Sequence, residues 1–272
     1  MNQPGTAGAA QKDASPRRGG SRIAFFGGSF DPPHLGHLAV ARAARAAFAL
    51  DTVLFAPVGV QPLKPEGPAA SFEDRVAMTR LAIAGEPGLE VSLADAPKPA
   101  PNPADARTSA AETAPNYTVD TLDRLRASLA PDGTLFCLMG ADSFFALPRW
   151  HRAAELPFVA PLIVASRPEQ PLPNGMVGLK ADLEAALPTG LLLECEQAGS
   201  RNESDVEVRA FVLMNQAGER TPFYVMPGLH VEISASEIRA QIHAASGSPA
   251  AGRDLVPKAV RAYIAQHGLY RS

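Results

Sequence analysis

The sequence predicts an α/β protein built on a mostly parallel sheet with helices on both faces. Two observations carry that expectation. Short apolar runs alternate with helical patterns from Arg22 to Ser143, the signature of strand–helix–strand units. The first run also ends in two glycines just ahead of an alanine-rich helix. A chain of 272 residues with 46% apolar side chains is long enough for one large domain of this class or two small ones.

Taken in order, residues 1–21 mix Gly, Ala, Ser, Pro and charge without periodicity and read as a disordered tail ahead of a single domain over 22–272. Ile23–Phe26 reads as a buried strand. Gly27 and Gly28 follow, and Asp31-Pro32-Pro33 breaks any regular structure before a helix over about Leu35–Phe48. Thr52–Ala56 is a second strand. The prolines at 62, 65 and 68 make the next stretch a loop. Ser71 then caps a helix reaching Ala84, with Asp74 in the capping-box position. Leu89–Leu93 is a third strand, and the Pro-, Ala- and Ser-rich stretch 94–115 reads as a flexible loop. Thr118 is expected as the N-cap of a helix to Leu129, with Val119, Leu122 and Leu125 on one face. Leu135–Met139 is a fourth strand running into Gly140-Ala141-Asp142-Ser143. A short helical stretch from Phe144 leads to Trp150, and Phe158–Ala165 is a fifth strand. Between 169 and 229 the pattern suggests a helix at Leu183–Leu187 and strands at Leu191–Cys195, Glu207–Met214 and Phe223–Met226. A last helix runs from Pro257, at a favoured first-turn position, to His267, with Gly268 as its stop.

Composition narrows the function. A formal net charge of −3 argues against a sequence-independent nucleic-acid binder. Cys137 and Cys195 form no CxxC or Cys/His cluster, which speaks against structural zinc and for buried thiols in a reducing compartment. No apolar run reaches membrane-span length, and Arg17-Arg18 precedes no signal-like apolar segment, so a cytoplasmic protein without a membrane partner is expected. Neither GxGxxG nor GxxxxGK[ST] occurs, which disfavours a hydride-transfer dehydrogenase and a P-loop kinase. Oligomeric state is left open.

The chemistry concentrates in two stretches. A strand, a glycine turn and a helix N-terminus make a ready phosphate site, where Gly27 and Gly28 let backbone approach an anion closely. His34 and His37 fall on one face of the helix's first turn, where both imidazoles can donate to phosphate oxygens as charge grows. Farther on, ISASEIR offers a second anion site: Ser234 or Ser236 as cap, and Arg239 as a planar fork one turn later. His34, Lys64, Thr118 and Asp142 each follow an expected strand, directly or after a loop. Ligands of such sheets sit beyond the carboxyl ends of the strands, so these four are expected to converge on one crevice.

RIAFFGGSFDPPHLGHL resembles the GGxFDPxHxGH signature of the nucleotidylyltransferases. ISASEIR resembles their ISSTxxR motif, with Ala235 in place of the second serine. PNYTVDTL, the GADSF…W pattern, ASRP and the closing LVP…YI…LY look like the bacterial nicotinate-nucleotide adenylyltransferases. The resemblance spans Arg22 to Tyr270 and is weakest over 94–115 and 169–229. It implies a Rossmann-like fold and a reaction joining nicotinate mononucleotide to the AMP part of ATP, with Mg2+ carried by ATP. It implies catalytic or phosphate roles for His34, His37 and Arg239, and ATP contacts from Gly27, Gly28, Ser29, Phe30, Lys64, Ser234 and Ser236. It further implies an acceptor pocket at Tyr117, Thr118, Asp142 and Trp150. A phosphopantetheine or cytidylyl sibling, and a non-catalytic nucleotide sensor, stand as alternatives.

Overall fold

The structure, a computed structural model, describes residues 20–63, 66–98, 114–166, 176–197, 206–228, 233–244 and 255–271. Its frame is a single sheet of eight strands: β1 (Arg22–Gly28), β2 (Thr52–Pro57), β3 (Leu89–Val91), β4 (Thr134–Gly140), β5 (Leu162–Ala165), β6 (Leu192–Gln197), β7 (Arg209–Met214) and β8 (Arg220–Met226). The spatial order is β3-β2-β1-β4-β5-β8-β7-β6. The first six in that order are parallel neighbours, whereas β8-β7-β6 is an antiparallel meander on one edge. The chain winds outward from β1 in one direction through β2 and β3, then restarts at β4 on the other side of β1. A crevice opens where the winding reverses.

Alternation along the strands sorts side chains into two cores, as the period of two requires. Ala24, Phe26, Val53, Phe55, Phe136, Leu138 and Ile163 face one core. It is covered by α1 (Leu35–Ala47), α2 (Phe72–Ala82), α7 (Ala235–Ala244) and α8 (Lys258–His267). Phe25, Leu135, Cys137, Met139, Leu162 and Val164 face the other. There they meet α3 (Thr118–Ser128), α4 (Ala141–Ala146), α5 (Leu156–Val159) and α6 (Met176–Ala185). The central strands are buried on both faces, which explains their near-continuous apolar runs.

Several expectations shift. The expected strand at Phe158–Ala165 is two elements: Pro157 sits in the first turn of α5, Ala160-Pro161 breaks the run, and β5 starts at Leu162. A short apolar run does not by itself separate strand from buried helix. Thr118 is the first residue of α3, not its cap; Tyr117 holds the cap position, with no side-chain capping bond. Pro257 is likewise the cap of α8 rather than its first residue, and Gly268 closes that helix at φ 63. The helix expected at Leu183–Leu187 begins at Met176 and ends at Ala185. Ser71 does cap α2, its hydroxyl oxygen accepting the Asp74 N–H at 3.0 Å. The expected tail at 1–19, Lys64, the centre of the 94–115 loop and the Cys195 side chain lie outside the described residues. The two ends of that loop are tied down: Ala114 N–H donates to the Lys98 carbonyl, and Gly59 N–H to that of Asp95.

Candidate active site

At the carboxyl ends of β1 and β4 lies a cavity of about 620 Å³. Gly27 and Gly28 form one border and Leu138 and Met139 another. The loop after β2, the entry to α3 and the α4 region complete the wall. Of the sequence candidates, Gly27, Gly28, Tyr117, Thr118, Asp142 and Trp150 line this cavity together. Trp150 is half-buried against the second core and faces the cavity with its remaining surface. Tyr117 packs at a tilt on His151, ring centroids 4.2 Å apart, and with Phe25 and Trp150 four aromatic rings border the same space. Such rings offer flat partners to a planar heterocycle.

The wall at the entry to α3 is held by Asn116. Its side-chain oxygen accepts the Val60 N–H at 3.0 Å, and its amide donates to the Ala96 carbonyl at 3.0 Å. One buried side chain thus ties together the segments after β2 and β3 and the start of α3. The crossing is close: a Cβ on Gly59 would lie 2.5 Å from the Pro97 nitrogen, so only glycine fits. Asp95 is buried beside it and accepts the Thr121 hydroxyl at 2.7 Å. Burial pushes the Asp95 carboxyl above the usual carboxylate range, a shift that the Thr121 hydrogen bond partly offsets. Cys137, a buried free thiol on the cavity floor, is pushed up to about 12 by burial, which leaves it a poor nucleophile.

The motif histidines sit at the start of α1, whose N-cap is His34. His34 is 2% exposed, and its ring stacks on that of His37 with centroids 3.7 Å apart. His37 Nδ1 accepts the His34 backbone N–H at 3.2 Å. An acceptor at Nδ1 places the ring proton at Nε2, the atom that can donate onward. Phe30, at φ 48, packs edge-on against His37 at 4.9 Å and against Phe26 and Phe55. Its side chain is a core wedge that fixes the His37 ring, so any nucleotide contact from this position falls to backbone. Ser29 donates its hydroxyl to Gln61 across the loop at 3.0 Å, and its carbonyl receives the buried Arg75 at 2.8 Å.

The second motif comes to the same end of the sheet by a different route. Ser234 precedes α7, and its carbonyl accepts the Ile238 N–H at 3.0 Å. Ser236 accepts from Arg239 Nη2 at 3.2 Å, and Arg239 Nη1 donates to the Asp31 carbonyl at 2.7 Å. The two phosphate-type motifs, 208 positions apart in the chain, are therefore in direct contact. None of His34, His37, Ser234, Ser236 or Arg239 borders the cavity itself; they flank the loop that leads from its glycine rim. Sequence reasoning read Asp31 only as a breaker of regular structure and passed over Asn116, Asp95, Gln61 and His151. Their significance lies in contacts made between segments far apart in the chain. The one local signal was the position of Asp31 and Asn116 inside the quoted motifs.

Residues 25–241 match the family model described as cytidylyltransferase-like. The chain is 38% identical over 248 residues to a probable nicotinate-nucleotide adenylyltransferase of Stenotrophomonas maltophilia, covering 91% of this chain and 96% of that protein. It is 35% identical over 251 residues to one of Gloeobacter violaceus, covering 92% and 97%. A solved structure of Plasmodium falciparum nicotinic acid mononucleotide adenylyltransferase complexed with NaAD shares the fold, with a TM-score of 0.58 at 13% identity, covering 92% of this chain and 97% of that one.

Proposed function

The chain belongs to the nicotinate-nucleotide adenylyltransferases of the cytidylyltransferase-like family, and we propose from that premise how its own residues carry the reaction. It transfers the adenylyl group of ATP to nicotinate mononucleotide, giving deamido-NAD and pyrophosphate. The observation that carries the assignment of roles is the division of the site. An aromatic-bordered cavity takes in Gly27 and Gly28, while the point where the two phosphate motifs touch, Asp31 and Arg239, lies outside its lining.

The acceptor phosphate is already a nucleophile. One of its oxygens attacks the α-phosphorus of ATP, the bond to the bridging oxygen of pyrophosphate breaks, and the electron pair leaves with pyrophosphate. No protein nucleophile is needed, so the protein contributes positioning and charge stabilisation. His37, through Nε2–H, and His34 stabilise the α- and β-phosphates as negative charge shifts to the leaving group. Arg239, with Ser234 and Ser236 at the α7 N-terminus, holds the outer phosphates. Gly27 and Gly28 admit the nucleotide close to backbone. Trp150 stacks on the pyridine ring, with Tyr117, Thr118 and Asp142 around the mononucleotide. Lys64 is proposed as a further phosphate contact on its sequence position alone.

Magnesium enters this reading with the triphosphate. Among the described residues no group of three His, Cys, Asp or Glu side chains is placed to hold a metal ion. We further propose that residues 22–272 work as one unit, supported by the single sheet. A reducing, cytoplasmic setting is proposed on the buried free thiol of Cys137.

The test is pyrophosphate release from ATP and magnesium with nicotinate mononucleotide, nicotinamide mononucleotide and phosphopantetheine in parallel. Release confined to nicotinate mononucleotide is expected. Release with phosphopantetheine alone would overturn the pocket assignment, and silence with all three in protein that binds ATP would favour a nucleotide sensor.

A further inference from the structure

Asp31 is 4% exposed and lies where the two phosphate motifs meet. Its Oδ2 accepts the Ala69 N–H at 2.7 Å. Its Oδ1 accepts the Ala70 N–H at 3.1 Å and the Tyr270 hydroxyl at 2.7 Å. Arg239 approaches differently: Nη1 gives its hydrogen bond to the Asp31 backbone carbonyl and stands 3.8 Å from Oδ2. A guanidinium beside a bare carboxylate closes on it as a two-pronged pair. Here three neutral donors already occupy the carboxylate, and the second arm of the fork rests on Ser236.

One of those donors is held in place at a cost. Tyr270 follows Gly268 at the end of the chain and has φ 64, a left-handed conformation that disfavours any side chain. Such a residue persists where its surroundings over-determine it. Its ring packs against the first core and its hydroxyl reaches a residue 239 positions away. Burial and the charge of Asp31 hold the phenol proton on well past the ordinary tyrosine range, so the group is a standing donor.

We propose that Tyr270 is a positioning residue for Arg239: by donating to Asp31 Oδ1 it keeps the buried carboxylate from capturing the guanidinium, and leaves Arg239 available to the triphosphate. The inference rests on the reading of Arg239 as a phosphate ligand. Without the Tyr270 hydroxyl, Asp31 loses one of three neutral donors, and Arg239, already within 3.8 Å of Oδ2, can close on it, whereas the buried Arg75 beside it is held on the Ala70 and Ser29 carbonyls. The fork then turns inward and the phosphates lose it.

The experiment is a calorimetric titration of the full chain with ATP and magnesium, without acceptor, for the unmutated protein, Tyr270→Phe, Arg239→Ala and the double variant. Tyr270→Phe is expected to weaken ATP binding about 10- to 150-fold, the range of one charge-assisted contact. Nicotinate mononucleotide binding, read by Trp150 fluorescence, is expected to stay within about twofold. In the Arg239→Ala background the Tyr270 change is expected to add nothing. A lowered melting temperature with unchanged ATP affinity overturns the proposal, as does an equal loss with and without Arg239. Tyr270→Leu, read the same way, serves if the phenylalanine variant folds poorly. If Arg239→Ala leaves ATP affinity unchanged, the phosphate role of Arg239 fails and the inference with it. Pyrophosphate release by the unmutated chain tests the reaction separately.

Discussion

Replacing Asn116 with alanine strips two hydrogen bonds from the close crossing of segments beside Gly59 in the wall of the cavity. The Val60 N–H loses the side-chain oxygen that accepts it, and the Ala96 carbonyl loses its amide donor, both at 3.0 Å. Asn116 itself is buried, while Val60 and Ala96 are partly exposed. Water therefore recovers part of what is lost, and each bond is worth about 1–2 kcal/mol rather than the full cost of a sealed, unpaired group. The pair sums to about 2–4 kcal/mol, a shift of roughly 30- to 900-fold in the unfolding equilibrium. The Asn116 backbone N–H still donates to the Val60 carbonyl, so the segment loosens without detaching. Because Tyr117 and Thr118 follow directly, the acceptor side of the site loosens with it. Urea unfolding followed by the fluorescence of Trp150, the single tryptophan, measures the stability change. Quenching of the same signal by nicotinate mononucleotide measures the pocket. Asn116→Asp is informative beside it: the acceptor for Val60 survives, but a carboxylate now faces the Ala96 carbonyl, so this variant should recover stability in acid. A change below about 0.5 kcal/mol for Asn116→Ala, the level of an ordinary surface substitution, would refute the claim that this side chain holds the wall.

Three further outcomes are expected. His37→Ala removes the Nε2–H donor and should lower turnover by about 10²–10³-fold, as loss of one donor to developing charge does, with ATP affinity changed far less; equal turnover in folded protein would remove His37 from the mechanism. Trp150→Ala should weaken nicotinate mononucleotide binding by up to about tenfold, the worth of one aromatic stack, and ATP binding much less; calorimetry with each substrate separates the two. Burial raises the Asp95 carboxyl, so the folded chain keeps that proton to higher pH than the unfolded chain does, and stability falls as pH rises from about 3.9 through the folded value. Asp95→Asn should therefore gain stability relative to the parent as pH climbs through that window, and a difference that stays constant or reverses in urea unfolding across pH 4 to 7 would contradict the burial argument.

The chain's local chemistry was legible without coordinates where a pattern repeats within a few residues. The β1, β2 and β4 runs, the Ser71 cap, the Gly268 stop and the Val119–Leu122 face all depend on near neighbours, and the structure has them. The motifs containing His34, His37 and Arg239 are likewise contiguous, so their resemblance to the family's motifs could be read from order alone. Local reading failed where two states share a pattern. Phe158–Ala165 is apolar enough for a strand, yet Pro157 and Pro161 divide it into a helical turn and a shorter strand.

Tertiary structure decided which of the candidates meet: Thr118 and Asp142, both expected after strands, share the cavity, and His34 does not border it. The reversal of winding beside β1 puts Gly27–Gly28, Tyr117 and Trp150 around one cavity, and strand order is not written in any one strand. Asp31 shows the reason most directly. In the sequence it is one polar residue before two prolines; in the fold its carboxylate collects donors from positions 69, 70 and 270 and stands beside Arg239. A buried charge is tolerable only when distant groups satisfy it. The identity of those groups is fixed by how the helices close over the sheet, not by anything within hydrogen-bonding reach along the chain.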